Sequence, residues 1–323
     1  MNKTYVILEI ARTYSSMDEA REMIKIASEN GVNAIKIQTI VAKDLMVLND
    51  NTKTYFKMLE SLHRTKEEHL QIKSFCDEYG IHFLSTPESL DSVDLLDSIG
   101  VNAFKISSLD LVYDRLLKKV SKKGKPVYLS TGMSTPEEIQ HAVDLLSGLG
   151  HLVCLMHCSS LYPTPIENAN LNNIKYLKKF SNTVGYSDHT IGVEAPVLAV
   201  TLGATVIEKH FTLDRTQDGA DHLVGVDPSM LKEMMTRIRE AEILLGSDTR
   251  TLSLDERMMA SQKRRKLISR TNLKQGDLIK DNDFICLQTK SPGGIDSKHL
   301  SNLVGRTLKC DLKINDILEW EMT

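Results

Sequence analysis

The chain has 323 residues, 41% hydrophobic, 26% charged and 5% aromatic, which excludes a mainly disordered or collagen-like polypeptide and suits one large domain or a large and a small one. Its 40 Lys and Arg against 43 Asp and Glu leave a formal charge of −3, so no electrostatic footprint for nucleic acid is present. No apolar run approaches the roughly 20 residues of a membrane span, and the run before Glu9 is too short for a signal-peptide core. Five cysteines without a C-x-x-C pair complete the expectation of a reduced, cytoplasmic protein with buried thiols.

Short β-rich runs alternate with amphipathic stretches. Residues 5–10 (YVILEI) predict a strand, followed by a helix over 17–30. A second strand over 33–38 leads to a helix over 65–79, where Thr65 and Glu68 have the spacing of a capping box. Strands over 81–86, 103–108, 126–131, 152–158, 183–187 and 205–211 then alternate with helices near 89–98, 112–122, from Ser134 onward, 171–180, 193–203 and 228–246. The segment Ser134-Thr135-Pro136-Glu137-Glu138 carries the cap, the proline and the first-turn acids of a helix start. Eight strand–helix units in about 250 residues predict an α/β fold, a closed (β/α)8 TIM barrel, here over residues 1–247. The polar segment 248–266, with its basic Lys263-Arg264-Arg265-Lys266, reads as a solvated linker. Residues 267–323 read as a small β-rich domain with turns at Gln275-Gly276-Asp277 and Pro292-Gly293-Gly294.

In such a barrel the site lies at the C-terminal ends of the strands. All eight runs finish in polar groups: Glu9; Lys36 and Gln38; Ser85 and Thr86; Lys105 and Ser107; Ser130 and Thr131; His157 and Ser159; Ser187 and His189; Glu208 and His210, with Asp221 and His222 in the loop beyond. One such residue is ordinary rim. Eight ends converging on one mouth predict an enzyme. Lys36 and Lys105, with nearby hydroxyls, suit a phosphate or carboxylate. His189 and His210, from neighbouring strands, suit one divalent ion acting on water or a carbonyl, the competing reading being that each only hydrogen-bonds a backbone group. Glu9, Glu208 and Asp221 are candidates for base, acid or orienting group, with structural pairing to the lysines the competing reading for Glu208. His157 reads as a hydrogen-bonded shell residue and the cysteines as core. There is no glycine-rich dinucleotide fingerprint, no GxxxxGK[ST] and no H-E-x-x-H.

Seven runs occur in order that together resemble the bacterial sialic acid synthase family: Lys36-Ile37-Gln38, Leu84-Ser85-Thr86-Pro87, Phe104-Lys105-Ile106-Ser107-Ser108, Leu129-Ser130-Thr131-Gly132-Met133-Ser134, Tyr162-Pro163-Thr164-Pro165, Gly185-Tyr186-Ser187-Asp188-His189-Thr190 and Ile207-Glu208-Lys209-His210-Phe211. That family comprises N-acetylneuraminate, legionaminate and pseudaminate synthases and a spore-coat polysaccharide synthase. The tail resembles its C-terminal antifreeze-like (SAF) domain. The resemblance implies condensation of phosphoenolpyruvate with an N-acetylmannosamine-type aldose, giving a nine-carbon 2-keto-3-deoxy acid and phosphate with Mn2+ or Mg2+. It implies phosphoenolpyruvate contacts from Lys36, Thr86, Lys105, Ser107, Ser130 and Ser187, and metal ligation by His189 and His210. It further implies catalytic roles for Glu9, Lys36, Lys105 and Asp221, supporting sugar contacts from Gln38, Tyr162, Ser160, Glu208 and Lys290, and a domain-swapped homodimer.

Three departures stand out. The family's Asn-His after strand one is Thr13-Tyr14 here, in a loop that borders the site. The Phe of its Ser-Thr-Pro-Phe motif is Glu88. The arginine that precedes the tail's Pro-Gly is Ser291, with Lys290 beside it. Two competing readings are a related synthase or aldolase using another aldehyde, supported by the changed loop and Glu88, and a non-catalytic barrel that binds carbohydrate or a partner protein.

Overall fold

A computed structural model describes residues 3–147, 152–290 and 292–323. The chain divides into two compact units, Met1–Gly246 and Ser247–Thr323.

The first unit is a closed barrel of eight parallel strands in chain order. These are β1 (Tyr5–Glu9), β2 (Ala34–Thr39), β3 (His82–Pro87), β4 (Ala103–Ile106), β5 (Val127–Ser130), β6 (Val153–Cys158), β7 (Val184–Asp188) and β8 (Val206–His210), each within two residues of the predicted bounds. The alternating side-chain direction of a strand divides each one between two cores. Val6, Leu8, Ile35, Ile37, Phe83, Phe104 and Ile106 face the surrounding helices. Ile7, Ala34, Leu84, Ala103, Tyr128, Cys154, Met156 and Val206 fill the barrel. One pleat further along the inner face stand Glu9, Lys36, Thr86, Lys105, Ser130, Cys158, Ser187 and Glu208. The apolar layer is the floor of the mouth. Gly185 belongs to that floor: a Cβ there would lie 2.7 Å from the Val206 carbonyl oxygen, so only glycine lets β7 approach β8 so closely.

Helix starts follow their caps. Ser16, Thr65, Ser89 and Asp227 each accept from backbone N–H groups of the first turn, and Thr65 with Glu68 closes the capping box. Two features depart from expectation. Helices Ala42–Leu45 and Lys53–Ser61 interrupt the stretch after β2, built on a small separate cluster of Ile40, Ala42, Phe56 and Leu59. The expected linker contains a helix, Leu254–Lys263, started by a Ser253–Glu256 capping box and with no buried residue; its apolar Leu254, Met258 and Met259 are all exposed.

In the C-terminal unit, β9 (Lys266–Ser269) pairs antiparallel with β10 (Phe284–Leu287). Leu267, Ile279, Phe284, Ile295, Leu303, Leu308, Leu312 and Leu318 form its core. Among the described residues no helix is long and apolar enough to cross a membrane.

On the outer side of the mouth, Lys209 of β8 donates to Asp188 of β7 at 2.6 Å, both side chains being fully buried. Tyr186 Oη and the Thr190 N–H also donate to Asp188, and Lys209 donates to the Thr190 carbonyl. The pair thereby ties together the strand ends that carry His189 and His210. Lys209→Met, which leaves the Asp188 charge buried, should cost about 3 kcal/mol, measured as a lowered urea midpoint. Lys209→Met combined with Asp188→Asn should recover part of that loss.

Candidate active site

Parallel pairing places Glu9 beside both Lys36 and His210, and Ser187 beside Glu208. These registers build a buried charge cluster. The Lys36 ammonium lies 2.5 Å from Glu9 Oε2 and 3.4 Å from Glu208 Oε1. Lys105 Nζ lies 3.9 Å from Glu208 Oε2 and donates to Ser130 Oγ at 2.6 Å and to the Ile106 carbonyl. The Ala11 N–H donates to Glu9 Oε1 and Ser187 Oγ to Glu208 Oε1. Glu208 Oε2 is buried without a hydrogen bond.

The two lysines titrate in opposite directions. Burial alone would strip the proton from Lys36, but Glu208 and Glu9 outweigh it and hold its proton more tightly than usual. At Lys105, burial, reinforced by Lys36, outweighs Glu208 and lowers the proton affinity. Burial opposes ionisation of Glu208 too, yet Lys105 and then Lys36 bring its carboxyl down to about 2.

A cavity of about 350 Å3 opens above this cluster. Around it the structure gathers Lys36, Gln38, Thr86, Lys105, Ser107, Ser130, Ser160, Tyr162, Ser187, His189, Glu208, His210 and Asp221, and Glu9 sits directly beneath through Lys36. Lys290 belongs to the C-terminal unit, where it is exposed with a left-handed backbone (φ 54°). Ser291 lies outside the described residues. Gly132 keeps the rim open: a Cβ there would fall onto Ser160 Oγ and within 2.9 Å of Ser108 Oγ.

Strand-end residues one position out of phase face away from the cavity. Ser85 bonds Thr39 and the Ile37 carbonyl outside the barrel. His157 bonds the Ala169 carbonyl and stacks on Tyr186. At the end of β6 it is Cys158, not His157, that lines the cavity, in phase with the interior residues Cys154 and Met156. The loop after β1 also differs from expectation. Thr13 is buried and donates to the Phe211 and Ile10 carbonyls. Tyr14 is buried beneath Arg64, which donates to its hydroxyl. The residue of that loop that lines the cavity is Arg12.

Arg12, Tyr55 and Glu88 form a wall that sequence reasoning did not assemble. Burial opposes the Arg12 charge, and Asp221, a hydrogen bond with Tyr55 and then Glu88 outweigh it. Burial, with Asp110 nearby, pushes the Glu88 carboxyl up to about 7. Glu88 therefore belongs to the cavity and is not a solvent-facing substitution.

The imidazole pair suits a divalent ion. His189 Nδ1 is 2.8 Å from the Ser159 carbonyl, which can only accept, so Nδ1 carries the proton and Nε2 keeps the lone pair, here beside Tyr162 Oη at 2.7 Å. His210 lies 5.4 Å away between ring centroids, and its buried Nδ1 has no hydrogen bond, with Asp221 Oδ2 at 3.3 Å. An available lone pair beside an unsatisfied ring nitrogen is a fitting donor set. Among the described residues no cluster of three or more His, Cys, Asp or Glu side chains is placed to hold a metal, so further ligands would have to be water or substrate oxygens.

A closed parallel barrel whose mouth gathers lysines, hydroxyls, carboxylates and two imidazoles defines a (β/α)8 protein with its candidate site at the strand ends. The chain belongs to the NeuB family, whose sequence pattern spans residues 23–250. It is 42% identical to an uncharacterized protein of Methanocaldococcus jannaschii, over 98% of this chain and 94% of that one. It is 35% identical to N,N'-diacetyllegionaminic acid synthase of Legionella pneumophila, over 94% of this chain and 89% of that one. The crystal structure of N-acetylneuraminic acid synthetase from Leptospira borgpetersenii in complex with citrate is similar with a TM-score of 0.75 at 31% identity, covering 80% of this chain and 90% of that one.

Anion binding should track the lysines. Lys105→Met should weaken binding of inorganic phosphate by about tenfold or more, measured by calorimetry at fixed ionic strength. In the native chain, affinity should fall as pH rises through the depressed pKa of Lys105, because the protonated form binds the anion and loses its proton first. Lys105→Arg should flatten that fall.

Proposed function

We propose that this protein condenses phosphoenolpyruvate with an N-acetylmannosamine-type aldose and water, releasing a nine-carbon 2-keto-3-deoxy sugar acid and phosphate. The observation that carries the reading is the juxtaposition, in one cavity, of two buried lysines, a buried carboxylate, Glu208, that pairs with both of them, and an imidazole pair, within a chain whose relatives include named synthases of this type.

Lys36 and Lys105 supply point charges, and Thr86, Ser107, Ser130 and Ser187 short hydrogen bonds, for the carboxylate and phosphate of the enol. With both anionic groups held, C3 faces the acceptor and attacks its aldehyde carbon. The new C–C bond takes the electron pair of the enol, which leaves C2 electron-poor, and the alkoxide formed at the aldehyde oxygen takes up the proton that water releases in the next step. Water then adds at C2. Glu208, whose Oε2 is buried without a hydrogen bond, orients that water, and Glu9 accepts its proton and passes it to the alkoxide. The tetrahedral intermediate collapses with cleavage of its C–O bond to phosphate, leaving the 2-keto group. Asp221, Tyr162, Gln38 and Ser160 flank the sugar. His189 and His210 would hold Mn2+ or Mg2+, which when bound supplies Lewis-acid polarisation of the aldehyde oxygen.

The reading extends to the remainder of the chain. Residues 267–323 act as an antifreeze-like (SAF) domain, and two chains form a homodimer in the cytoplasm.

Phosphate release from phosphoenolpyruvate should require both Mn2+ or Mg2+ and an aldose, with N-acetylmannosamine and 2,4-diacetamido-2,4,6-trideoxymannose assayed in parallel. EDTA should abolish it, and Glu9→Gln should lower kcat by about 100-fold or more. A protein that fails to bind phosphoenolpyruvate at all would sink the reading.

A further inference from the structure

We infer that Arg12 and Glu88 form a specificity-determining pair that recognises an uncharged amide substituent on the acceptor and disfavours a phosphorylated one. This rests on the proposed function, since it assigns the acceptor end of that same cavity.

Arg12 comes from the loop after β1 and Glu88 from the end of β3. Both are half-buried and both line the cavity. In the loop after β1, Thr13 and Tyr14 are committed to backbone and Arg64 contacts, so Arg12 is the side chain left to read a ligand. Its guanidinium has five N–H donors. Within the protein it meets Gln38 Oε1, at a long 3.4 Å, and Tyr55, so donors remain. Among the described residues Glu88 makes neither a hydrogen bond nor an ion pair, although it feels the Arg12 charge. Its carboxyl faces the cavity with no protein partner, so a ligand group can take the place of water there. Spare donors on one side and a spare acceptor on the other complement a group that offers one carbonyl and one N–H. That group is an amide: its oxygen accepts from Arg12 and its N–H donates to Glu88.

Charge decides against a phosphate here. The deep end of the cavity holds two lysines. At the wall, a single guanidinium faces two carboxyl groups, Asp221 and Glu88. A phosphate carried by the acceptor would add negative charge where Arg12 is already engaged, and like charges placed in one desolvated site reject a ligand. The simpler alternative, that Arg12 only neutralises Asp221, gives Glu88 no part in selection.

The test uses the full-length protein with Mg2+ and phosphoenolpyruvate. The ligands are the alditols of N-acetylmannosamine, of mannose and of N-acetylmannosamine 6-phosphate, which have no aldehyde and bind without turnover. Competition calorimetry should show the native chain preferring the acetamido alditol by about tenfold over each of the other two. Arg12→Met should remove the preference over the mannose alditol. Glu88→Gln, which keeps an amide-accepting oxygen but no charge, should relieve the rejection of the phosphorylated alditol when binding is measured at about pH 8, where the native carboxyl, pushed up to about 7, is ionised. Phosphoenolpyruvate affinity should stay native in both variants, which reports an intact fold. Variants that bind all three alditols as the native chain does, or a native preference for the phosphorylated one, would overturn the inference. Failure of the synthase reading itself shows separately, as absent phosphate release with the corresponding aldoses while the alditol preferences persist.

Discussion

Everything at the mouth of this barrel depends on four charges that cannot be buried singly. Lys36, Lys105, Glu9 and Glu208 are each less than 5% exposed, and an isolated ion at such a depth costs several kcal/mol even after relaxation. As two cations and two anions in contact they become tolerable, and only the closed register of eight strands brings them together. Glu9 reaches Lys36 across β1 and β2, while Glu208 reaches both lysines from β8. Well-packed apolar side chains in the same place would leave the fold as stable or more so. The charged arrangement is therefore understood through what it can exchange. An incoming anion with two acidic groups can take over lysine contacts that the glutamates hold at rest, freeing a carboxylate at the moment the substrate arrives.

The split titration of the two lysines gives that exchange a direction. Lys36 is locked charged by two carboxylates. Lys105 is less firmly protonated and is hydrogen-bonded to a serine and a carbonyl. The first is a fixed electrostatic anchor and the second is the more responsive partner. Across the cavity the character changes, from cations and hydroxyls, through an imidazole pair, to a guanidinium among carboxyls. A site graded in this way is suited to holding two different reactants in a fixed order, which is where most of the rate advantage of a bimolecular condensation comes from.

The barrel was legible because eight apolar runs of strand length alternate with helical periods, and because Thr65 with Glu68, and Ser134-Thr135-Pro136, mark helix starts in the way their chemistry requires. Much of the site was legible for the same reason: a period of two places Lys36 with Gln38, Lys105 with Ser107, and Glu208 with His210 on one face. Applying that period strictly would also have turned Ser85 and His157 outward and brought Cys158 in, since Cys154 and Met156 fix the phase of β6. What could not be read was anything set by loops. Tyr55 reaches the cavity from a helical excursion with its own small core, which no strand phase announces. Whether Arg12 or its neighbours Thr13 and Tyr14 face the cavity depends on contacts with Phe211 and Arg64, some 200 and 50 residues away in sequence.

The most direct test of the account is the fate of the bridging oxygen of phosphoenolpyruvate. If Glu9 and Glu208 are there to bring water to C2, then phosphoenolpyruvate labelled with 18O in its C–O–P bridge, turned over with an amino-sugar aldose, should release the label in inorganic phosphate, while unlabelled solvent oxygen appears in the 2-keto acid. Retention of the label in the sugar acid would mean cleavage between phosphorus and oxygen, and would contradict the role assigned to the buried carboxylates.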